Sequence, residues 1–168
     1  MWIENVERQF DLLQPDHLWI RRDVALDSIL ALSGLASFIC ILTAFAGNFI
    51  DDENVFHAVV MFSVCAVETM AVLLTICDFW ARYLPHPDDV HFVRLLHGAV
   101  GFIFSLLSST LMTAFYVKRW EPRCELNRGR GNIQKCDCLV ASSVLGFAIT
   151  AIFLIKCIAA VWQLKNLR

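Results

Sequence analysis

Leu95–Val117, LLHGAVGFIFSLLSSTLMTAFYV, runs for 23 residues with no Asp, Glu, Lys or Arg, bracketed by Arg94 and Lys118. At 1.5 Å per residue a helix of that length covers roughly 35 Å, enough to cross a hydrocarbon core of about 30 Å with some tilt. It reads as a transmembrane helix. Gly101, Ser105, Ser109 and Thr113 fall four apart along it, a row of small side chains that predicts a seam for a second helix.

Working outward, three more such stretches appear. Ser28–Ile50 is again uncharged, with Ser33, Gly34, Ala36, Ser37 and Cys40 as small positions and Asp27 at its entrance. Val55–Cys77 follows after a tight acidic turn, Asp51, Asp52 and Glu53, and Cys138 to about Leu164 closes the chain. Ser142, Gly146 and Thr150 give that last span its own row at spacing four. Two such rows are natural partners, and spacing of four favours right-handed crossings. The fold expected is all-α, an integral membrane four-helix bundle spanning residues 24–164, with short tails at 1–23 and 165–168. Across 168 residues, 58% hydrophobic content and a mean hydropathy of +0.60 place the chain outside the soluble range.

The connections carry the remaining signals. Trp2, Ile3, Val6, Phe10 and Leu13 alternate with acidic and basic residues, compatible with a short interfacial helix ended by Pro15 or with a flexible tail. Trp19, Arg21 and Arg22 form an interfacial anchor. No cleavable signal is expected, because the first apolar run is too long for a signal-peptide core. Pro85 and Pro87 are expected to hold the second connection short and non-helical, and residues 118–137 form the longest connection. Seven basic residues fall on the side of the termini and six in that long connection, so charge counting alone does not orient the chain. The acidic first turn and the cysteines of the long connection favour cytoplasmic termini.

Glu68 lies near the middle of the second span, where a lipid-facing carboxylate costs about 2.5 kcal/mol or more. Lys156 lies in the parallel fourth span at a depth differing by roughly 6 Å. Two readings stand: a Glu68–Lys156 pair inside the bundle, or a Lys156 that snorkels to the headgroups. Asp27, Asp78 and His97 fall at span ends and are expected at the cytoplasmic membrane edge, in ordinary interfacial solvation or, as the other reading, in a polar ring with Arg94. The string His86, Pro87, Asp88, Asp89 and His91 occurs between spans, away from the soluble strand-to-loop context in which such residues hold zinc. Cys124, Cys136 and Cys138 match no common structural-zinc spacing. A Cys136–Cys138 bridge would close a strained ring, so Cys124 is expected to pair with Cys136 or with Cys138; free thiols in a cytoplasmic loop are the other reading. No cofactor, metal or catalytic constellation is expected, and the basic loop lacks the aromatic interleaving of nucleic-acid binders.

The layout resembles the MARVEL-domain family of four-span membrane-apposition proteins, which includes myelin-and-lymphocyte, chemokine-like-factor-related, physin and occludin-type members. The resemblance rests on the short first loop, the longer loop with cysteines from Cys124 to Cys138, and the opening of the fourth span, Cys138-Leu139-Val140-Ala141-Ser142-Ser143-Val144-Leu145-Gly146-Phe147. It implies cytoplasmic termini, a plasma or vesicle membrane rich in cholesterol, and a role in vesicle trafficking, membrane apposition, cell junctions or cell–cell fusion. The partners then expected are lipids and lateral membrane proteins or further copies of the chain. An accessory subunit of a channel or transporter, with Glu68 and Lys156 offered to a partner helix, is the alternative.

Overall fold

Acidic residues and a proline stand in the first turns of the second and third helices. The computed structural model describes residues 2–45, 52–76, 87–121, 124 and 133–166, with side chains placed over 22–44, 55–73, 92–119, 121, 124 and 135–165. Helix α1 is Trp2–Phe45, α2 is Asp52–Ile76, α3 is Pro87–Phe115 and α4 is Ile133–Asn166. Asp52 and Glu53 open α2, and Pro87, Asp88 and Asp89 open α3. Carboxylates favour the positive end of the helix dipole, and proline at the first helical position forfeits only an N–H that has no intrahelical acceptor. Pro87 therefore starts a helix rather than holding a non-helical link. At its other end α3 widens into a π-turn, Tyr116–Trp120, closed by the Glu121 N–H donating to the Tyr116 carbonyl.

Three further boundaries differ from expectation. Helix α1 continues through Pro15 from Trp2; the proline loses its own bond to the carbonyl four residues back, and the turns on either side carry the helix across that gap. The connection expected over 118–137 is shorter at both ends, because α3 with its π-turn reaches Trp120 and α4 begins at Ile133. The spans themselves cover Arg22–Ala44, Val55–Leu73, Phe92–Arg119 and Lys135–Lys165, each long and apolar enough to cross a membrane. The expected features at Asp51, Asp78, Trp80, Arg82, Tyr83, Pro85, His86, Pro122, Gly129 and Gly131 lie outside the described residues, as do the side chains of the N-terminal amphipathic stretch.

The four helices close into a ring: α1 lies along α2, α2 along α3, α3 along α4, and α4 along α1. Side-chain pairings give their directions. Asp27 meets Lys156 and Ser37 meets Ser142, so α1 and α4 are antiparallel. Ser108 meets His57 and His97 meets Glu68, so α2 and α3 are antiparallel as well. Because Lys156 and Ser142 also reach Glu68 and His57, α2 and α4 run in the same direction. The order is up-down-up-down.

The bundle is apolar outside and mixed inside. Leu32, Phe62, Ile103, Val144 and Ile158 each keep more than half of their surface exposed, while Ser37, His57, Glu68, Ser105, Ser108, Ser109 and Ser142 are buried. Lipid tails are as apolar as leucine, so burying leucine gains little there, and polar or small residues drive association instead. Outward hydroxyls are satisfied within their own helices: Thr43, Thr69 and Thr110 each donate to the carbonyl four residues earlier, at 2.6–2.8 Å. This is a multi-pass membrane protein folded as an all-α four-helix bundle.

Candidate functional site

Each helix contributes one residue to each of two buried polar layers. Buried positions on α1 recur as Asp27, Leu30, Gly34, Ser37, Ile41 and Ala44, and on α4 as Leu139, Ser142, Gly146, Ile149 and Phe153. These steps alternate between three and four, the heptad spacing that keeps one face turned toward its neighbours in a left-handed bundle. The spacing-four rows expected on α3 and α4 do meet, with Thr150 on Ser105 and Gly146 against Ser109, and the steps of three add the positions that face the other helices. Of the α3 row, Ser105 and Ser109 are fully buried, whereas Thr113 is half-buried and donates back to the Ser109 carbonyl at 2.8 Å.

The first layer is Ser37 of α1, His57 of α2, Ser108 of α3 and Ser142 of α4. His57 bonds Ser108 Oγ through Nδ1 and Ser142 Oγ through Nε2 at 3.2 Å. Ser142 Oγ lies 2.7 Å from Ser37 Oγ. A neutral imidazole offers one donor and one acceptor, so three hydroxyls and one ring form a connected chain in which every group is used. Below it, Thr150 donates to Ser105 Oγ at 3.1 Å and to the Gly146 carbonyl at 2.9 Å. Ser109 Oγ is buried against Gly146 without a partner.

The second layer is Asp27 of α1, Glu68 of α2, His97 of α3 and Lys156 of α4. His97 Nε2 lies 2.5 Å from Glu68 Oε1. Lys156 Nζ donates to Asp27 Oδ1 and sits 3.5 Å from Glu68 Oε2. The Lys156 side chain is only 11% exposed, so its ammonium turns into the bundle rather than out to the headgroups. The ring of Phe153 lies beside both cationic candidates, 5.8 Å from the His97 ring and 5.9 Å from Nζ. Toward the termini, Arg94 pairs with Asp23 at 3.2 Å. Ten residues separate the layers on α1 and eleven on α2, placing them roughly 15–17 Å apart.

Asp27 and His97 thus leave the solvated edge expected of them. Asp27 is buried, one turn further along α1 than Asp23, which pairs with Arg94. At that depth a carboxylate is better served by an ammonium than by a snorkelling conformation. His97 neighbours Gly98 on the seam and keeps 31% of its side chain exposed while its Nε2 reaches inward. Glu68 and Lys156 are brought together, with Asp27 as a third member. The His57 layer is absent from the sequence reading, although the recurrence of Ser37, Ser108 and Ser142 on heptad positions carried the signal.

Cys124 and Cys136 are joined by a disulfide, with Cα atoms 6.2 Å apart, and Cys138 is a free thiol. Among the described residues no group of His, Cys, Asp and Glu is arranged to hold a metal ion.

The two layers differ in what their loss would do. Ser142→Ala removes the hydroxyl shared by His57 and Ser37, and we expect a loss of about 1–2 kcal/mol in unfolding free energy measured in mixed detergent micelles. Thr150→Val is expected to lose less than about 1 kcal/mol, because Ser105 Oγ still donates to the Phe102 carbonyl at 3.3 Å. Equal effects would remove His57 from the account.

Together these features define a four-helix membrane protein whose ionisable groups Asp27, Glu68, His97 and Lys156 contact one another in its interior. Comparison with family profiles, characterised proteins and solved structures finds no match to this chain.

Proposed function

We propose that this protein is a non-enzymatic membrane organiser that acts through helix–helix and helix–lipid contacts, in vesicle trafficking, membrane apposition, cell junctions or cell–cell fusion. The observation that carries the reading is the inversion of polarity. Asp27, Glu68, His97 and Lys156 find partners within the chain, leaving an outer surface of Leu, Ile, Val and Phe side chains. Such a surface meets lipid and lateral partners and offers no charge to a solute. The resemblance to MARVEL-domain proteins points the same way, with cytoplasmic termini and a cholesterol-rich plasma or vesicle membrane. An accessory subunit docking through Glu68 or Lys156 draws less support, because both side chains are engaged internally.

Reconstitution tests this. Purified protein in giant vesicles with coexisting ordered and disordered phases is expected to enrich in the sterol-rich phase and to self-associate by energy transfer between labelled copies. The same protein in sealed liposomes is expected to pass protons and alkali cations no faster than protein-free controls. A flux that Glu68→Gln abolishes would replace the organiser with a transport reading.

A further inference from the structure

Ser37 and Ser142 mark the place where α1 and α4 come closest. Each serine hydroxyl lies 3.4 Å from the other residue's backbone carbonyl, and the two Oγ atoms are 2.7 Å apart. A serine side chain is short, so contacts of this kind require the two backbones themselves to be close. The helices are antiparallel, so one turn onward along α1, at residue 40, faces one turn back along α4, at residue 138. Both positions are cysteine. Both are free thiols, and both are half-buried rather than sealed. They lie at the bundle end that also carries the Cys124–Cys136 disulfide, because Cys136 precedes Cys138 by two residues on α4.

We propose that Cys40 and Cys138 form a redox-active dithiol that closes to a second, interhelical disulfide on exposure to a low-molecular-weight disulfide oxidant such as oxidised glutathione. One thiolate attacks the oxidant's disulfide, forming a mixed disulfide with the protein and releasing one small thiol. The second thiolate then displaces the other small thiol and completes the Cys40–Cys138 bond. Two protein protons leave, the protein dithiol is oxidised by two electrons, and one oxidant molecule is reduced to two thiols. The bond ties the first helix to the last, across the one face of the ring that no connecting segment closes. It would latch the bundle against separation of α1 from α4 while leaving both polar layers in place.

Disulfide formation demands Cα atoms about 4.4–6.8 Å apart, and the Ser37–Ser142 contacts one turn away hold the α1 and α4 backbones close together beside these two positions. Among the described residues the two other free thiols pack elsewhere. Cys65 abuts Gly34 through its backbone, and Cys157 lies against Gly98.

The full-length protein in detergent micelles or liposomes would be incubated with oxidised glutathione, its remaining thiols capped with a mass-tagged maleimide, and its intact mass compared with an untreated sample. The expected result is a loss of two tags per chain, with peptide mapping under non-reducing conditions locating the bond between Cys40 and Cys138. Cys40→Ser should convert the product to a single glutathione adduct on Cys138. Retention of both tags in the wild-type protein would overturn the proposal. So would a bond mapped from Cys138 to Cys124, which would mean exchange with the existing bridge instead.

Discussion

Lys156→Met is expected to lower the unfolding free energy by about 3–5 kcal/mol, the largest loss from any single exchange in the polar interior, because it leaves two carboxylates buried without their cation. Asp27 and Glu68 both face that ammonium, and Glu68 is also bonded to His97. The ranking of variants follows from those contacts. Glu68→Gln keeps an oxygen and an amide for His97 and leaves Lys156 bonded to Asp27, so it should cost distinctly less than Lys156→Met. Asp27→Asn falls between them, since it weakens the bond that Lys156 makes most directly. Combining Lys156→Met with Asp27→Asn and Glu68→Gln removes the net charge from the layer and should recover a large part of the loss, as neutral replacements of buried ion pairs commonly do. Unfolding in mixed detergent micelles measures all four proteins on one scale. If the triple variant is no more stable than Lys156→Met alone, the layer acts through geometry rather than through charge compensation.

The contrast between what the chain discloses and what it conceals has a physical basis in these same residues. Span number and helical class are visible because a membrane imposes a length and a hydropathy that few other contexts demand. Which face of each span points inward is visible only when the step is read correctly. The step of four holds where α3 meets α4, with Ser105 on Thr150 and Ser109 on Gly146, yet Leu139, Ile149 and Phe153 on α4 are buried too and add steps of three. On that register Asp27, Glu68 and Lys156 all fall inward, with His97 one residue from the seam. Asp27 looks interfacial when it is judged by its distance from the span end, and becomes interior once its carboxylate is seen buried against Lys156. The His57 layer needs one more piece of information, the relative depth of four helices. That depth depends on how Gly34, Gly98, Gly101 and Gly146 let the backbones approach. The choice of Cys136 over Cys138 as the partner of Cys124 likewise depends on α4 beginning at Ile133, which places Cys136 inside the first turns of the helix.

Glycine substitutions at two of those approaches should fail for different reasons, and rescue separates them. At Gly101 an added methyl group would overlap the ring of Phe153, a side chain. At Gly34 the same methyl would meet the Met61 carbonyl oxygen and the Cys65 amide nitrogen, each at 3.0 Å, which belong to the α2 backbone. Each Gly→Ala change is expected to lose about 1–3 kcal/mol by overpacking. Trimming Phe153 to Leu frees space over Gly101, so Gly101→Ala combined with Phe153→Leu should be more stable than the sum of the two single losses predicts, with a coupling of about 1 kcal/mol or more. Val64→Ala offers no such relief to Gly34→Ala, even though the Val64 side chain is also close at 3.3 Å, because the two backbone atoms stay where α2 puts them. The Gly34 pair should therefore add. Because the Phe153 ring touches both His97 and Lys156, the Gly101 variant also tests whether the charged layer depends on how α3 and α4 are seated. A displaced ring should make Lys156→Met less costly in the Gly101→Ala background than in the native one, since the layer has already been loosened there. If the two changes instead add fully, the charged layer is held independently of how α3 is seated on α4, and α3 contributes only the imidazole.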